Sequence, residues 1–221
     1  MANGIVRVGL VGAGGNTRLR HAPGFRDQSG VEIVSVANRS RESGERFAGE
    51  FEIPKVYDSW VDLINADDTD AICIGTWPYM HRTLTLAALE ADKHVLCEAR
   101  MAMNAKEAHD MLDASRLKPH LIAQIVPAPS TLDVDSTIQG LIADGYLGEI
   151  LAVKLRVSNT EGRANRNDTF VDTEAPFHWR QNQLLSGYNA MSMGIWYEQL
   201  MRYVGPASKV SAMTKVCVRQ R

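Results

Sequence analysis

Short apolar runs alternate with amphipathic segments through the first two-thirds of the chain. The apolar runs have strand length and cover 5–11, 31–37, 71–75, 94–98 and 121–126. Helical spacing occurs between them, over 16–28, 41–51, 59–64, 79–91 and 105–115. Continuous apolar strands are typical of a parallel sheet that is covered on both faces. The alternation of strands and helices therefore predicts an α/β fold with a doubly wound sheet.

The pattern changes after Gly148. It predicts a long strand over 149–159, a polar loop over 160–173, one helix over 184–204 and a further strand over 208–218. Two strands and one helix make a poor core by themselves. We therefore predict a first domain at 1–127 and an incomplete second domain at 128–221.

Composition narrows the classes of partner and location. With 45% hydrophobic and 23% charged residues among 221, the chain has the composition of a soluble globular protein. Its net charge of −2 gives no reason to expect nucleic acid or an anionic membrane surface as a partner. No signal peptide is apparent, and the widely spaced cysteines lack a C-x-x-C pair, so we predict a cytoplasmic protein with reduced thiols. The histidines show no metal-ligand spacing, so no metal is expected.

A glycine cluster follows the first predicted strand. Gly12, Gly14 and Gly15 precede Asn16, at which the first helix is predicted to begin. Glycines permit a tight turn and let backbone N–H groups approach a pyrophosphate at a helix N-terminus. The third glycine of a full G-x-G-x-x-G pattern is replaced by Thr17, but the strand before and the helix after support the motif. The three glycines and Asn16 are predicted to bind a dinucleotide. The alternative is a glycine turn without a ligand.

The end of the second strand distinguishes between the two nicotinamide dinucleotides. A site selective for NAD usually carries an acidic residue there, whereas this chain has Asn38, Arg39 and Ser40. Arg39 can pair with a 2′-phosphate and Ser40 can hydrogen-bond it. We therefore predict NADP as the cofactor, with NAD as the alternative. In the competing interpretation Ser40 caps the next helix and Arg39 is solvated.

Other cofactor ligands are predicted where later strands end, because ligands of such sheets lie beyond the carboxyl ends of the strands. These residues are Thr76, Trp77 and Glu98. Trp77 either borders the adenine or nicotinamide of the cofactor or only packs against neighbouring protein residues. His81 is expected to hold its loop in place rather than to bind the cofactor.

Five segments resemble the Gfo/Idh/MocA family of NAD(P)-dependent oxidoreductases. They are 8–21, 76–81, 87–98, 145–150, and Trp179-Arg180 followed by Gly187. The resemblance implies an N-terminal Rossmann domain and a C-terminal α/β domain with a mainly antiparallel sheet. It also implies activity on sugars, polyols and related hydroxy compounds, and a homo-oligomer if the second-domain sheet is completed.

Both proton-transfer positions of the family are changed in this chain. The Glu-Lys-Pro motif corresponds to Glu98-Ala99-Arg100, and Ala99 carries no ionisable group. The family's aspartate and histidine, four residues apart on a helix, correspond to Ser192 and Trp196. Trp196 cannot act as a base because its indole nitrogen only donates.

Substitutes for the missing groups occur nearby in the sequence. His178 is favoured as the catalytic residue because imidazole titrates near neutral pH. Tyr188 is a second catalytic candidate, and Tyr197 and Glu198 are also considered. Arg180 is predicted to bind substrate, with a surface ion pair as the alternative.

Three functions are compatible with these residues. The first is an NAD(P)-dependent oxidoreductase that transfers a hydride to or from a sugar, a polyol or a related hydroxy compound through a nonstandard proton relay. The second is a non-catalytic dinucleotide-binding sensor or regulator of the same family. The third uses transient oxidation for glycoside cleavage or elimination, as some relatives do.

Overall fold

A computed structural model describes residues 4–127, 135–156, 177–187 and 193–213. The chain divides into two compact units. The first unit contains Met1–Pro127 and Leu184–Tyr188, and the second contains Ala128–Gln183 and Asn189–Arg221.

One parallel sheet forms the centre of the first unit. Its strands are β1 (Val6–Val11), β2 (Val31–Ala37), β3 (Lys55–Tyr57), β4 (Ala71–Ile74), β5 (His94–Cys97) and β6 (Ala123–Ile125). The strands pair in the order β3-β2-β1-β4-β5-β6, and every pair is parallel. The order reverses at β1, so the helices that follow β1 and β4 pack on opposite faces of the sheet, and such a reversal is where sheets of this kind bind ligands.

Helices follow the strands as predicted. A π-helical turn (Thr17–His21) runs into α1 (Ala22–Arg26), and it is followed by α2 (Arg41–Glu50), α3 (Trp60–Ile64), α4 (Pro78–Glu90) and α5 (Ala105–Leu117). Ser40 caps α2 and Ser59 caps α3, each by accepting a hydrogen bond from a backbone N–H group of the first turn.

Apolar side chains are buried on both faces of the sheet, which explains the continuous apolar strands. One cluster joins strand residues such as Ile72 and Ile74 to side chains from α3, α4 and α5. The other joins Leu10 and Val36 to Ala22 of α1 and to side chains of α2. The predicted doubly wound sheet is therefore confirmed.

In the second unit the described structure is helical. It contains α6 (Asp135–Ala143), a 3₁₀ turn (Trp179–Gln181) and α8 (Met193–Val204); α7 (Gln183–Ser186) spans the division between the units. Arg202 of α8 lies 3.7 Å from Asp135 of α6, an ion pair between the two helices. The sequence pattern did not indicate α6.

Several second-domain predictions are wrong within the described residues. Residues 149–156 and 208–213 form no strand, and the predicted antiparallel sheet is not supported, because the sheet that is described is all parallel. An alternating segment forms a strand only beside a partner strand, and the described part of this unit offers none. The rest of these two segments and the predicted loop at 160–173 lie outside the described residues.

The single helix predicted over 184–204 is also wrong. It is interrupted at Gly187, whose φ of +68° is not helical. A Cβ atom at Gly187 would lie 2.5 Å from the carbonyl oxygen of Met103, so this position requires glycine.

The described helices include none that is long and apolar enough to cross a membrane. Cys73 and Cys97 are buried free thiols, and burial raises the pKa of Cys97 to about 12. Cys217 lies outside the described residues.

Candidate cofactor site at the carboxyl edge of the sheet

Two glycines bring the loop after β1 against the loop after β4. Gly12 has a φ of +81°, and a Cβ atom there would lie 2.8 Å from the backbone nitrogen of Thr76. A Cβ atom on Gly75 would lie 2.7 Å from the carbonyl oxygen of Gly12. Both approaches are closer than side chains allow, so both glycines are structural requirements. The sequence interpretation singled out Gly12 and missed Gly75.

Gly14 and Gly15 leave a bare stretch of backbone. Both are exposed; a Cβ atom on Gly14 would approach only the Gly12 carbonyl oxygen, at 3.9 Å, and one on Gly15 would meet no atom within 4 Å. Helical conformation begins at Gly15, and the first N–H groups of a helix have no partner within it. Packing among the described residues does not explain these glycines, and a bare backbone of this kind is what the close approach of a phosphate would require.

Asn38 supports the glycine loop from the end of β2. Its side-chain oxygen accepts a 2.7 Å hydrogen bond from the Ala13 N–H group, and its amide nitrogen donates to the Ser43 carbonyl oxygen at 3.2 Å. Ser40 accepts a hydrogen bond from the Ser43 N–H group at 3.3 Å as the cap of α2. Asn38 therefore shapes the predicted site, and the capping role that was expected for Ser40 is present.

Arg39 is an exposed cation at the same edge. Its guanidinium carbon lies 5.7 Å from the ring centre of Trp77, so the ends of β2 and β4 meet through a cation–π contact. Among the described residues Arg39 forms no ion pair, whereas Arg41 pairs with Glu45 and Asp58 at 2.8 Å. Arg39 thus presents a charge that an anionic ligand can neutralise.

Glu98, which follows β5, is the centre of a polar cluster. Its Oε1 atom accepts hydrogen bonds from the side chains of Asn16 and His21, the latter at 2.5 Å, and its Oε2 atom accepts from the Ala99 N–H group at 3.0 Å. Burial raises the pKa of Glu98, but the hydrogen bonds from His21 and Asn16 outweigh it and leave that pKa below its usual value. The cluster therefore places a carboxylate beside the glycine loop. The sequence interpretation named Glu98 and Asn16 and missed His21.

His81 joins the two loops that follow β4 and β5. It is fully buried on α4, with Nδ1 2.8 Å from the carbonyl oxygen of Arg100 and Nε2 3.0 Å from that of Thr76. Burial lowers the pKa of His81, although the two carbonyl contacts oppose that shift. These contacts fit the expectation that His81 holds its loop in place.

Residues predicted to take part in catalysis fall in a different part of the chain. Nδ1 of His178 accepts a hydrogen bond from the Arg180 N–H group at 3.2 Å and so caps the 3₁₀ turn. The guanidinium carbon of Arg180 lies 4.2 Å from the ring centre of Trp179. Tyr188 and Ser192 lie outside the described residues. The ranges that the structure describes contain no group of three or more potential ligands arranged to hold a metal.

Residues 6–124 match the sequence model of an oxidoreductase family with an NAD-binding Rossmann fold. The chain is 29% identical over 213 residues to a trans-1,2-dihydrobenzene-1,2-diol dehydrogenase from Bos taurus, and this match covers 96% of the chain and 58% of the dehydrogenase. It is 39% identical over 110 residues to a 1,5-anhydro-D-fructose reductase from Ensifer adhaerens, covering 50% of the chain and 33% of the reductase.

Among solved structures, a 3-ketoreductase from Actinomadura kijaniata in complex with NADP and TDP-benzene has a similar fold. Its TM-score is 0.58 at 21% identity, and the match covers 64% of this chain and 43% of the ketoreductase. The chain spans about 58% of the length of the Bos taurus dehydrogenase that it matches.

Proposed function

The chain belongs to the Gfo/Idh/MocA family of oxidoreductases with an NAD-binding Rossmann fold, and we propose that it is an NADP-dependent oxidoreductase. The proposed reaction is hydride transfer to or from a secondary alcohol carbon of a small cyclic hydroxy compound. The observation that carries this proposal is the bare backbone at Gly14 and Gly15, which lies at the start of a helix and at the carboxyl edge of a parallel sheet.

The preference for NADP rests on Arg39. A carboxylate after β2 would favour the free ribose hydroxyls of NAD, and this chain has none there. Arg39 forms no ion pair with the residues that the structure describes, so its guanidinium is available to a 2′-phosphate. Its contact with Trp77 limits the orientations of the side chain and lowers the entropic cost of binding.

Distinct parts of the edge would hold distinct parts of the cofactor. Gly15 and Asn16 would hold the pyrophosphate through their backbone N–H groups, Gly14, whose own N–H group donates to the Gly12 carbonyl oxygen at 2.8 Å, would let it approach, and Arg39 would hold the 2′-phosphate. Glu98 follows β5, on the side of the crevice away from Arg39, and so belongs with the nicotinamide end. Bound NADP supplies the hydride acceptor or donor, and the protein's residues orient the substrate and move its proton.

The substrate class is taken from the names of the relatives. The dehydrogenase name specifies a cyclic compound with adjacent hydroxyl groups, and the reductase name specifies an anhydro sugar. Both are small uncharged rings in which a carbon–oxygen bond lies beside another oxygen. We propose the same class for this chain, with Arg180 as a substrate ligand and His178 and Tyr188 as candidate catalytic residues. A homo-oligomer and a cytoplasmic location remain predictions.

The non-catalytic alternative is less favoured. The relatives compared above carry the names of dehydrogenases and reductases. The non-catalytic alternative rests on the absence of the family's lysine at Ala99. If another residue at this edge accepts the proton, that absence no longer argues against catalysis.

Turnover of two probes tests the proposal. The chain is incubated with NADP⁺ and trans-1,2-dihydrobenzene-1,2-diol, or with NADPH and 1,5-anhydro-D-fructose, while nicotinamide absorbance is followed. Turnover of either probe, abolished in a Gly14→Val variant that still folds, supports the oxidoreductase. Tight NADPH binding without turnover of either probe would overturn it in favour of a sensor.

A further inference from the structure

We propose that His21 accepts the proton of the substrate hydroxyl, and that Glu98 is the positioning residue that orients its imidazole. This inference rests on the proposed oxidoreductase function and names the proton acceptor that the reaction requires. The sequence leaves this role open because Ala99 occupies the position of the family's lysine.

The first support is the contact between the two side chains. Nε2 of His21 lies 2.5 Å from Oε1 of Glu98, and the side chains are only 10% and 13% exposed. Low exposure excludes competing water and strengthens the hydrogen bond. The Glu98 carboxylate is fixed in turn by Asn16 and by the Ala99 N–H group, so the acceptor of the imidazole has one orientation.

The second support is the protonation pattern that this contact imposes. An ionised carboxylate only accepts hydrogen bonds, so Nε2 of His21 must carry the proton and donate it to Glu98. In the neutral ring the lone pair then lies on Nδ1. Nδ1 forms no hydrogen bond with the described residues. It is also not one of the buried side-chain nitrogen and oxygen atoms that lack a hydrogen-bond partner, so it is exposed to solvent. The basic nitrogen of His21 is therefore accessible.

The position of His21 is also suitable. It is the last residue of the π-helical turn that follows the glycine loop, and Asn16 of that loop binds the same carboxylate oxygen. A π-helical turn has more residues per turn than an α-helix and is frequent at functional sites. His21 thus stands between the proposed pyrophosphate site and the end of β5.

Few charges act on the imidazole. Glu98 is the ionisable group that contacts His21. On the same helical segment Arg18 is paired with Glu50 at 2.7 Å, and Arg20 is exposed. Phe25 also stacks with the ring, at 6.4 Å between ring centres, and brings no charge.

Proton transfer to His21 and hydride transfer to the nicotinamide together account for the oxidation of the alcohol, and no further reactant is needed. As the alcohol is oxidised, its C–H electron pair leaves as hydride to the nicotinamide, which is reduced. The substrate O–H bond breaks, its electron pair forms the second carbon–oxygen bond, and the proton forms an N–H bond at Nδ1 of His21. Glu98 stabilises the imidazolium, as the carboxylate does in histidine-based triads. The imidazolium then releases the proton to water, and reduction of a ketone runs in the opposite sense.

Three variants test the assignment. His21→Gln keeps an N–H donor for Glu98 but cannot take up a proton, and Glu98→Gln removes the charge that fixes the tautomer. His120→Gln is the matched control, because His120 is exposed and remote in sequence from the glycine loop. Nitrogen-15 histidine spectra give the tautomer without any substrate, and the His21→Gln variant identifies the resonance.

We expect His21 to carry its proton on Nε2 in the wild type and to become a tautomer mixture in Glu98→Gln. With NADP⁺ and trans-1,2-dihydrobenzene-1,2-diol, His21→Gln should lower kcat by about 10²–10³-fold. It should also abolish the loss of kcat at acidic pH, while NADPH affinity changes by less than about threefold. His120→Gln should match the wild type.

Two results would overturn the inference: a proton on Nδ1 of His21 in the wild type, or an unchanged kcat and acidic limb in His21→Gln. Failure of the proposed function has a different signature, since a wild-type chain that binds no NADPH contradicts the cofactor site itself. The tautomer measurement needs neither cofactor nor substrate. It therefore tests whether Glu98 orients the His21 imidazole even when neither probe is turned over.

Discussion

Gly12 touches Thr76 so closely that a Cβ atom on Gly12 would lie 2.8 Å from the Thr76 backbone nitrogen. This contact joins the loops after β1 and β4, which border the crevice where the strand order reverses. Two glycines of the same loop therefore differ. The protein's own packing requires Gly12, whereas no packing contact within the described part of the chain requires Gly15.

A pair of alanine variants tests this distinction. Gly12→Ala should lower the free energy of unfolding by about 2–4 kcal/mol, because it adds both a clash and an unfavourable positive φ. Gly15→Ala should keep the stability within about 1 kcal/mol of the wild type, since alanine favours helix over glycine. It should nevertheless weaken NADPH binding, because its methyl group occupies the surface of phosphate approach. Urea unfolding and NADPH titration of both variants measure these effects; unchanged NADPH affinity in Gly15→Ala would contradict the phosphate site.

His81 is predicted to link stability to pH. Burial lowers its pKa in the folded state relative to about 6.5 in the unfolded chain, so the unfolded state binds protons more readily. The stability of the fold should therefore decrease as pH falls below about 6.5. In His81→Ala this part of the pH dependence should disappear, and the free energy of unfolding at neutral pH should fall by about 2–4 kcal/mol.

Urea midpoints between pH 8 and pH 5 provide the measurement for His81. His109→Gln serves as the control, since its side chain is exposed and forms no ion pair with the described residues, and it should leave the profile of the wild type intact. A His81→Ala profile as steep as that of the wild type would show that other groups cause the pH dependence.

Asp70 is predicted to link stability to pH in a more acidic range. Hydrogen bonds from Arg7, at 2.9 Å to Oδ1 and 3.0 Å to Oδ2, outweigh burial and lower the pKa of Asp70 to about 2. The unfolded value is near 3.8, so the stabilisation is fully present above that pH and is lost as pH falls towards about 2. Asp70→Asn should be less stable at neutral pH and should lose less stability on acidification.

Thermal unfolding between pH 5 and pH 2.5 measures this difference. Asp144→Asn is a suitable control because Asp144 is exposed and forms no ion pair with the described residues. Parallel acid profiles for Asp70→Asn and the wild type would contradict the assignment.

The sheet could be predicted because local patterns dominate it. Strands buried on both faces are continuously apolar, and the glycine loop directly follows β1, so the succession of elements along the chain and the fold class could be predicted. The three-residue strand β3 (Lys55–Tyr57) was missed because it is short and lies at the edge of the sheet. Its strand conformation depends on pairing with β2 rather than on its own pattern.

The site could be predicted only where its residues directly follow a strand. Gly12, Asn38 and Arg39 follow strands, and the parallel sheet places all strand ends at one edge. His21 and Glu98 are 77 residues apart, and tertiary structure alone brings them together. The break at Gly187 was hidden for a related reason: apolar spacing continues past it, whereas the close approach of Met103 is not encoded locally.

The central claim is that this edge binds NADP through the glycine loop and Arg39. The most direct measurement is a fluorescence titration of the folded wild type and the folded Arg39→Ala variant with NADPH and NADH. We predict that the wild type binds NADPH more tightly, and that Arg39→Ala loses at least about tenfold in NADPH affinity with little change for NADH. Equal losses for both cofactors, or no binding of either one by the wild type, would contradict the claim.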